Sequence, residues 1–220
     1  MKRDPNTAGL IYVSLGDLST SVRSFDMARK LAPDFYEAHM NYAAVNAEFR
    51  GFINSEAAYR AALRIRPNDY DAHLGLALAL RGQIDEAGSN PALMGARAEL
   101  NRAQQLDPTR PEAYFNLAIL TEQYLTKSST DGAAELRNAK TLYGEFATRA
   151  RGDSRFGETV KEVVAVSTKP DAQCLGAAST KDPGCQKGRI QNIDETIRFM
   201  SDTFPRSGNL APDLTHTDEQ

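Results

Sequence analysis

Neither sign of charge dominates this 220-residue chain: 26 Lys+Arg stand against 29 Asp+Glu, a formal net charge of -3. Without a basic excess there is no footprint for a phosphate backbone, so nucleic acid is excluded as a first partner class. No apolar run approaches the roughly 20 residues that span a bilayer, and Met1-Lys2-Arg3-Asp4-Pro5 lacks the apolar stretch of a signal peptide. A soluble chain with no transmembrane segment is expected. Also missing are a nucleophile elbow, a phosphate-binding glycine loop, a pair of catalytic carboxylates and a zinc-protease helix. These absences point away from an enzyme, a cofactor and a metal site. What is present, 41% hydrophobic residues, suffices for a sizeable core.

Three segments end alike. Leu31-Ala32-Pro33, Ile65-Arg66-Pro67 and Leu106-Asp107-Pro108 each close a stretch of helical periodicity, with prolines 34 and then 41 residues apart. Proline cannot continue a helix and turns the preceding residue out of the α region, so each marks a joint between units. The first unit carries Gly9, Tyr12, Gly16-Asp17, Ser21, Phe25 and Ala28. The second repeats the register with His39, Tyr42-Ala43, Ser55, Tyr59 and Ala62, and the third with His73, Leu76-Ala77, Ala96, Leu100 and Ala103. The extra length of the third is assigned to a turn over residues 82–91, rich in Gly, Asp, Ser and Asn. A fourth unit opens with Pro111, Tyr114 and Leu117-Ala118, lengthens its turn over residues 125–132, and continues in a helix over about 131–149.

Over roughly residues 3–150 this pattern resembles the tetratricopeptide-repeat (TPR) family. The resemblance implies an all-α, right-handed α-solenoid: about four helical hairpins over 1–150, then C-terminal capping helices. One hairpin cannot bury its apolar face alone, so at least three must stack. In that family the first helix of each hairpin lines a concave groove. The matching positions are Asn6, Leu10 and Val13; Met40, Ala44 and Ala47; Leu74, Leu78 and Arg81; and Phe115, Ile119 and Glu122. Chaperone-binding members grip a terminal carboxylate with Lys, Arg and Asn, and apart from Asn6 and Arg81 this lining lacks that set. The implied occupant is an amphipathic or apolar polypeptide segment. A second hairpin stack could dock on the first unit. The oligomeric state is left open.

His39 and His73 share a register, in a slot where the family carries a large packing residue. Packing is expected there rather than metal binding or pH sensing. Glu37, Asp71 and Glu112 recur near helix starts, where the macrodipole favours each by ~0.5 kcal/mol.

In the last third, residues 151–204 read as a cap. Phe156, Val160, Val163 and Val164 fall on one face of a helix over 154–168, and Ile193, Ile197 and Met200 share a face in a helix over 190–204. That second helix is also a rival occupant of the chain's own groove. Residues 205–220 are polar and expected to be disordered. Between the two helices a Gly/Pro-rich loop holds Cys174 and Cys185, the only cysteines. A disulfide is the first reading; its short ring would contribute about 3 kcal/mol in the chain-entropy account and imply a compartment such as the periplasm. Two unpaired thiols in a cytoplasmic protein, and zinc or redox chemistry, are the alternatives.

Ala/Arg-rich repeats followed by a cysteine-containing helical end also resemble the TPR lipoproteins of deltaproteobacterial gliding-motility machinery. This resemblance implies a protein-binding scaffold or assembly factor in a bacterial envelope complex, periplasmic or lipid-anchored at the outer membrane. The start within a repeat reads as a fragment, so the alternative is a substrate-recruiting module of an enzyme whose catalytic part lies elsewhere.

Overall fold

A computed structural model describes residues 4–85, 91–165 and 187–203, the side chains of 199–203 excepted. Cys174, Cys185, Met200 and the tail 205–220 therefore lie outside the residues whose side chains are described.

Helices α1 (Pro5–Ser14) and α2 (Leu18–Leu31) pack on each other, as do α3 (Tyr36–Glu48) with α4 (Phe52–Ile65) and α5 (Tyr70–Arg81) with α6 (Pro91–Leu106). Each hairpin then packs on the next, through α2 on α3, α4 on α5 and α6 on α7 (Glu112–Leu120). Aspartates start several of these helices. The carboxylates of Asp4, Asp17 and Asp69 accept the backbone N–H three residues on, filling an otherwise orphaned donor position.

The small residues of the repeat have a steric purpose. A Cβ placed on Gly9 would stand 2.4 Å from the Phe25 ring, and one on Gly75 would stand 2.3 Å from Cζ of Tyr59. Ala28, Ala43, Ala62, Ala77, Ala96 and Ala103 are all buried, so helices cross closely while Phe25, Tyr59 and Leu100 fill the space beside them. The hairpin turns repeat as well: Gly16 at φ +76° and Arg50 at φ +58°, 34 residues apart, both adopt the left-handed region that costs a residue with a Cβ about 1–2 kcal/mol. The third hairpin is longer between its helices, with residues 82–90 separating α5 from α6 where 15–17 and 49–51 serve the first two.

The fourth unit departs from the pattern in a different way from that expected. Residues 125–132 were read as a lengthened turn, but the chain stays helical through a π turn (Thr121–Leu125) and a short α8 (Thr126–Ser128). Thr121 Oγ1 donates to the Leu117 carbonyl (2.8 Å) and Thr126 Oγ1 to that of Thr121 (2.9 Å), taking up carbonyls that the wider ladder releases. Helix α9 (Gly132–Arg149), capped by Asp131, returns along α7.

A 3₁₀ turn (Ser154–Phe156), α10 (Gly157–Val164) and α11 (Arg189–Thr203) complete the end of the stack. They close a second core of Leu136, Ala139, Tyr143, Phe146, Val163 and Ile193, with Phe115 edge-on to Tyr143 and 4.8 Å from the Phe146 ring. Val163 is fully buried while Val164 is 43% exposed, because consecutive helical residues diverge by about 100° and only one can face the stack.

Two substitutions test this steric account. Gly75→Ala is expected to lose about 1–3 kcal/mol in urea unfolding, since the Tyr59 ring must be displaced. Arg50→Gly is expected to gain about 1 kcal/mol by relieving the left-handed turn. An unchanged midpoint in either variant would contradict the account.

Candidate functional site

Two surfaces repeat along the stack. At the joints between hairpins, Nε2 of His39 donates to the Pro33 carbonyl (2.8 Å), Nε2 of His73 to the Pro67 carbonyl (3.0 Å), and the Tyr114 hydroxyl to the Pro108 carbonyl (3.2 Å). The histidine slot therefore holds the carbonyl of each joint proline, with both rings buried. Nδ1 of His73 also lies 2.6 Å from the Glu99 carboxylate. No group of three or more His, Cys, Asp or Glu among the described residues could hold a metal ion.

Beside each joint an arginine stacks on a tyrosine at the start of a first helix. Arg66 lies 3.9 Å from the Tyr36 ring centroid and bonds Glu37 (2.8 Å); Arg110 lies 3.8 Å from the Tyr70 centroid and bonds Asp71 (2.8 Å). Arg149 lies 4.0 Å from Tyr114 and donates to the Pro108 carbonyl. The recurring acids thus do more than favour a helix start. Sequence reasoning missed this ladder, although Tyr36 with Tyr70, and Glu37 with Asp71, each keep the 34-residue period.

The second surface is the face of α1, α3, α5 and α7 to which the groove positions were assigned. Leu10 (50% exposed), Val13 (39%) and Ala44 are open on it, and Leu78 and Ala47 are half-buried. Asn6 is buried and accepts from the Asn41 amide (3.0 Å), and Met40 and Leu74 pack partly into the main core. In the fourth unit Phe115 and Ile119 pack against the second core. Glu122 accepts from the Tyr143 hydroxyl (2.6 Å) and from Arg189 at the start of α11 (2.9 Å). Of the assigned positions in the first three units, Leu10, Val13 and Ala44 are exposed while Asn6, Met40 and Leu74 turn inward; in the fourth, Phe115 and Ile119 pack against the second core.

Arg81 closes α5 on this face. It donates to Asn116 Oδ1 (2.9 Å), and no salt bridge holds it among the described residues. Burial, the main cause, holds its guanidinium below the ordinary arginine range. Asn116 in turn donates to the Glu112 carbonyl (2.8 Å), which fixes its amide.

The chain matches no protein-family model, and a search of curated proteins likewise gives no match. Its fold does match solved structures. MamA (41-end) from Desulfovibrio magneticus RS-1 superposes with a TM-score of 0.57 at 20% identity, over 68% of this chain and 76% of that one. A double mutant of MamA RS-1 gives 0.56 at 22% identity, over 70% and 80%. A mutant O-GlcNAc transferase from Thermobaculum terrenum gives 0.52 at 20% identity, over 68% of this chain and 27% of that one. These are TPR structures, and the chain has the TPR solenoid fold with a helical C-terminal cap.

Two phenols give this architecture a measurable pH response. Burial is the largest cause in both: Tyr70 is pushed up to about 12, and Tyr143, whose hydroxyl also bonds Glu122, is raised as well. An unfolded phenol ionises near pH ~10. A raised folded value means that the stabilisation is complete below that pH and is lost as pH rises toward the folded value. Urea unfolding is expected to show stability falling from about pH 10 to 12, with a shallower fall in Tyr70→Phe; equal slopes would remove Tyr70 as a contributor.

Proposed function

We propose that this chain is a protein-binding scaffold whose first three hairpins hold an apolar or amphipathic polypeptide segment along the face of α1, α3 and α5. The observation that carries the reading is the exposure of Leu10, Val13 and Ala44 on first helices, together with half-buried Leu78, in a TPR solenoid. Such apolar surface is a cost in water and a source of affinity once covered. The fourth unit does not share in it, because Arg189, Ile193 and the aromatic cluster close that end. No described helix is long and apolar enough to cross a membrane. In this reading the chain carries no catalysis and no cofactor. An envelope location, in a motility complex or another, is supported by the cysteine pair in one short loop and by the resemblance to TPR lipoproteins.

A second reading is a recruiting module within a larger enzyme. What favours it is the likeness to a segment that makes up 27% of an O-GlcNAc transferase.

A random peptide display library selected on the full chain tests the scaffold reading. Ala44→Asp and Leu78→Asp each place a charge on the face, and each is expected to weaken the selected peptides by at least about 100-fold, ~2.7 kcal/mol, with the melting temperature within a few degrees of the parent. Phe115→Asp is expected to unfold the end of the stack instead, since that ring is in contact with Phe146. Undiminished binding by both groove variants would sink the reading.

A further inference from the structure

A separate apolar surface follows the hairpin turns. Leu15 and Phe49, 34 residues apart, close α1 and α3 at the first two turns, and both are exposed. Ile53 precedes Pro67, and Met94 precedes Pro108, by the same 14 residues, so they hold one place in the repeat. They stand near the starts of α4 and α6, 74% and 59% exposed. The second and third turns adjoin: the Gln83 amide, past the end of α5, donates to Glu56 of α4 (2.7 Å), and a Cβ on Gly82 would meet the Phe52 ring. None of these four apolar residues is among the positions assigned to the groove.

Helix α11 brings the chain to the same edge. Arg189 donates to the Tyr143 hydroxyl (3.2 Å), and Asp194 pairs with Lys140 (2.7 Å), so α11 runs antiparallel to α9. Helix α9 starts at Gly132, beside the fourth turn, and ends at Arg149, beside the Pro108 joint. Thr203 lies ~14 Å past Asp194 at the helical rise and Gly132 ~12 Å before Lys140, so α11 ends level with the fourth turn. Residues 204–220 continue from there with Leu210, Leu214, Asp213, Asp218 and Glu219, and with no Lys or Arg after Arg206. Extended chain allows Leu210 ~23 Å and Leu214 ~36 Å from Thr203. Met94 is on α6, which packs on α7 as α7 packs on α9, and two spacings of about 10 Å put it within the reach of Leu210. Arg97, one turn along α6 from Met94, is half-buried and pairs with no carboxylate among the described residues, so the acids of the segment match it in charge.

We propose that residues 204–220 strap the hairpin-turn edge, with Leu210 and Leu214 covering Met94 and Ile53. A tethered segment has an effective concentration on the order of millimolar, so a contact too weak to hold a free peptide holds this one. The strap leaves the face of α1, α3 and α5 free.

The chain has no tryptophan, so Leu210→Trp in the full chain provides a single reporter. Its fluorescence is expected to be at least about threefold less quenchable by acrylamide than in urea, and to become freely quenchable when Met94→Asp or Ile53→Asp is added. Both sites are exposed, so the melting temperature is expected to stay within a few degrees of the parent. Arg97→Gln is expected to raise quenching in part. Free quenching in Leu210→Trp alone would overturn the strap. So would shielding that persists in both edge variants but is lost in Ala44→Asp or Leu78→Asp, which would put the segment on the first-helix face. Shielding that grows over about a hundredfold rise in protein concentration would also overturn it, since the segment would then be covering a second copy.

Discussion

The ring of Tyr59 lies where a Cβ on Gly75 would have to be, and the ring of Phe25 stands in the same relation to Gly9. This ring-on-backbone contact sets how near two helices approach, and the other repeating features assume that distance. Only then can alanines at the crossings be fully buried without leaving voids, and only then does a hairpin exchange its exposed apolar face for contact with the next. A larger residue at either glycine would separate the helices and lose contact along their length, so the cost is not local.

Close approach brings polar groups together at the joints. Each joint proline ends a helix with a carbonyl in need of a donor, and a histidine or tyrosine from the following first helix supplies it. Arginine then stacks on the tyrosine next to the joint and reaches an acid on the same helix. Exposed pairs such as Arg66 with Glu37 are individually weak in water. The Arg66 pair joins the end of α4 to the start of α3 within one hairpin.

The first helices change their packing at the fourth unit. Helix α7 contributes Leu117 and Leu120 to the main core and Ala118 to the second, so it is apolar on opposing sides. The π turn that follows places Glu122 within reach of Tyr143 and Arg189, and α11 closes over the end. π turns recur where a helix must re-aim a side chain.

The sequence by itself determined the hairpins and their order. Prolines at joints, small residues at crossings and aromatics between hairpins are local requirements of helix termination and helix contact, so they leave a periodic trace that can be read without coordinates. The first-helix positions followed from the same period. Which of them remain open did not, because Phe115 packs on Tyr143 and Phe146 of α9 and Glu122 is bonded by Tyr143 and by Arg189 of α11, contacts that the period does not encode. The lengthened fourth turn was misread for a related reason: a π turn has no composition of its own, and Thr121 and Thr126 are as compatible with a loop as with a widened helix. The Arg–Tyr ladder was hidden because its arginines, at 66, 110 and 149, do not keep the period of the tyrosines they cover. Only the tertiary structure decided which charges are paired. An ion pair is a distance between side chains, and Arg81 differs from Arg110 in what the neighbouring hairpin brings beside it.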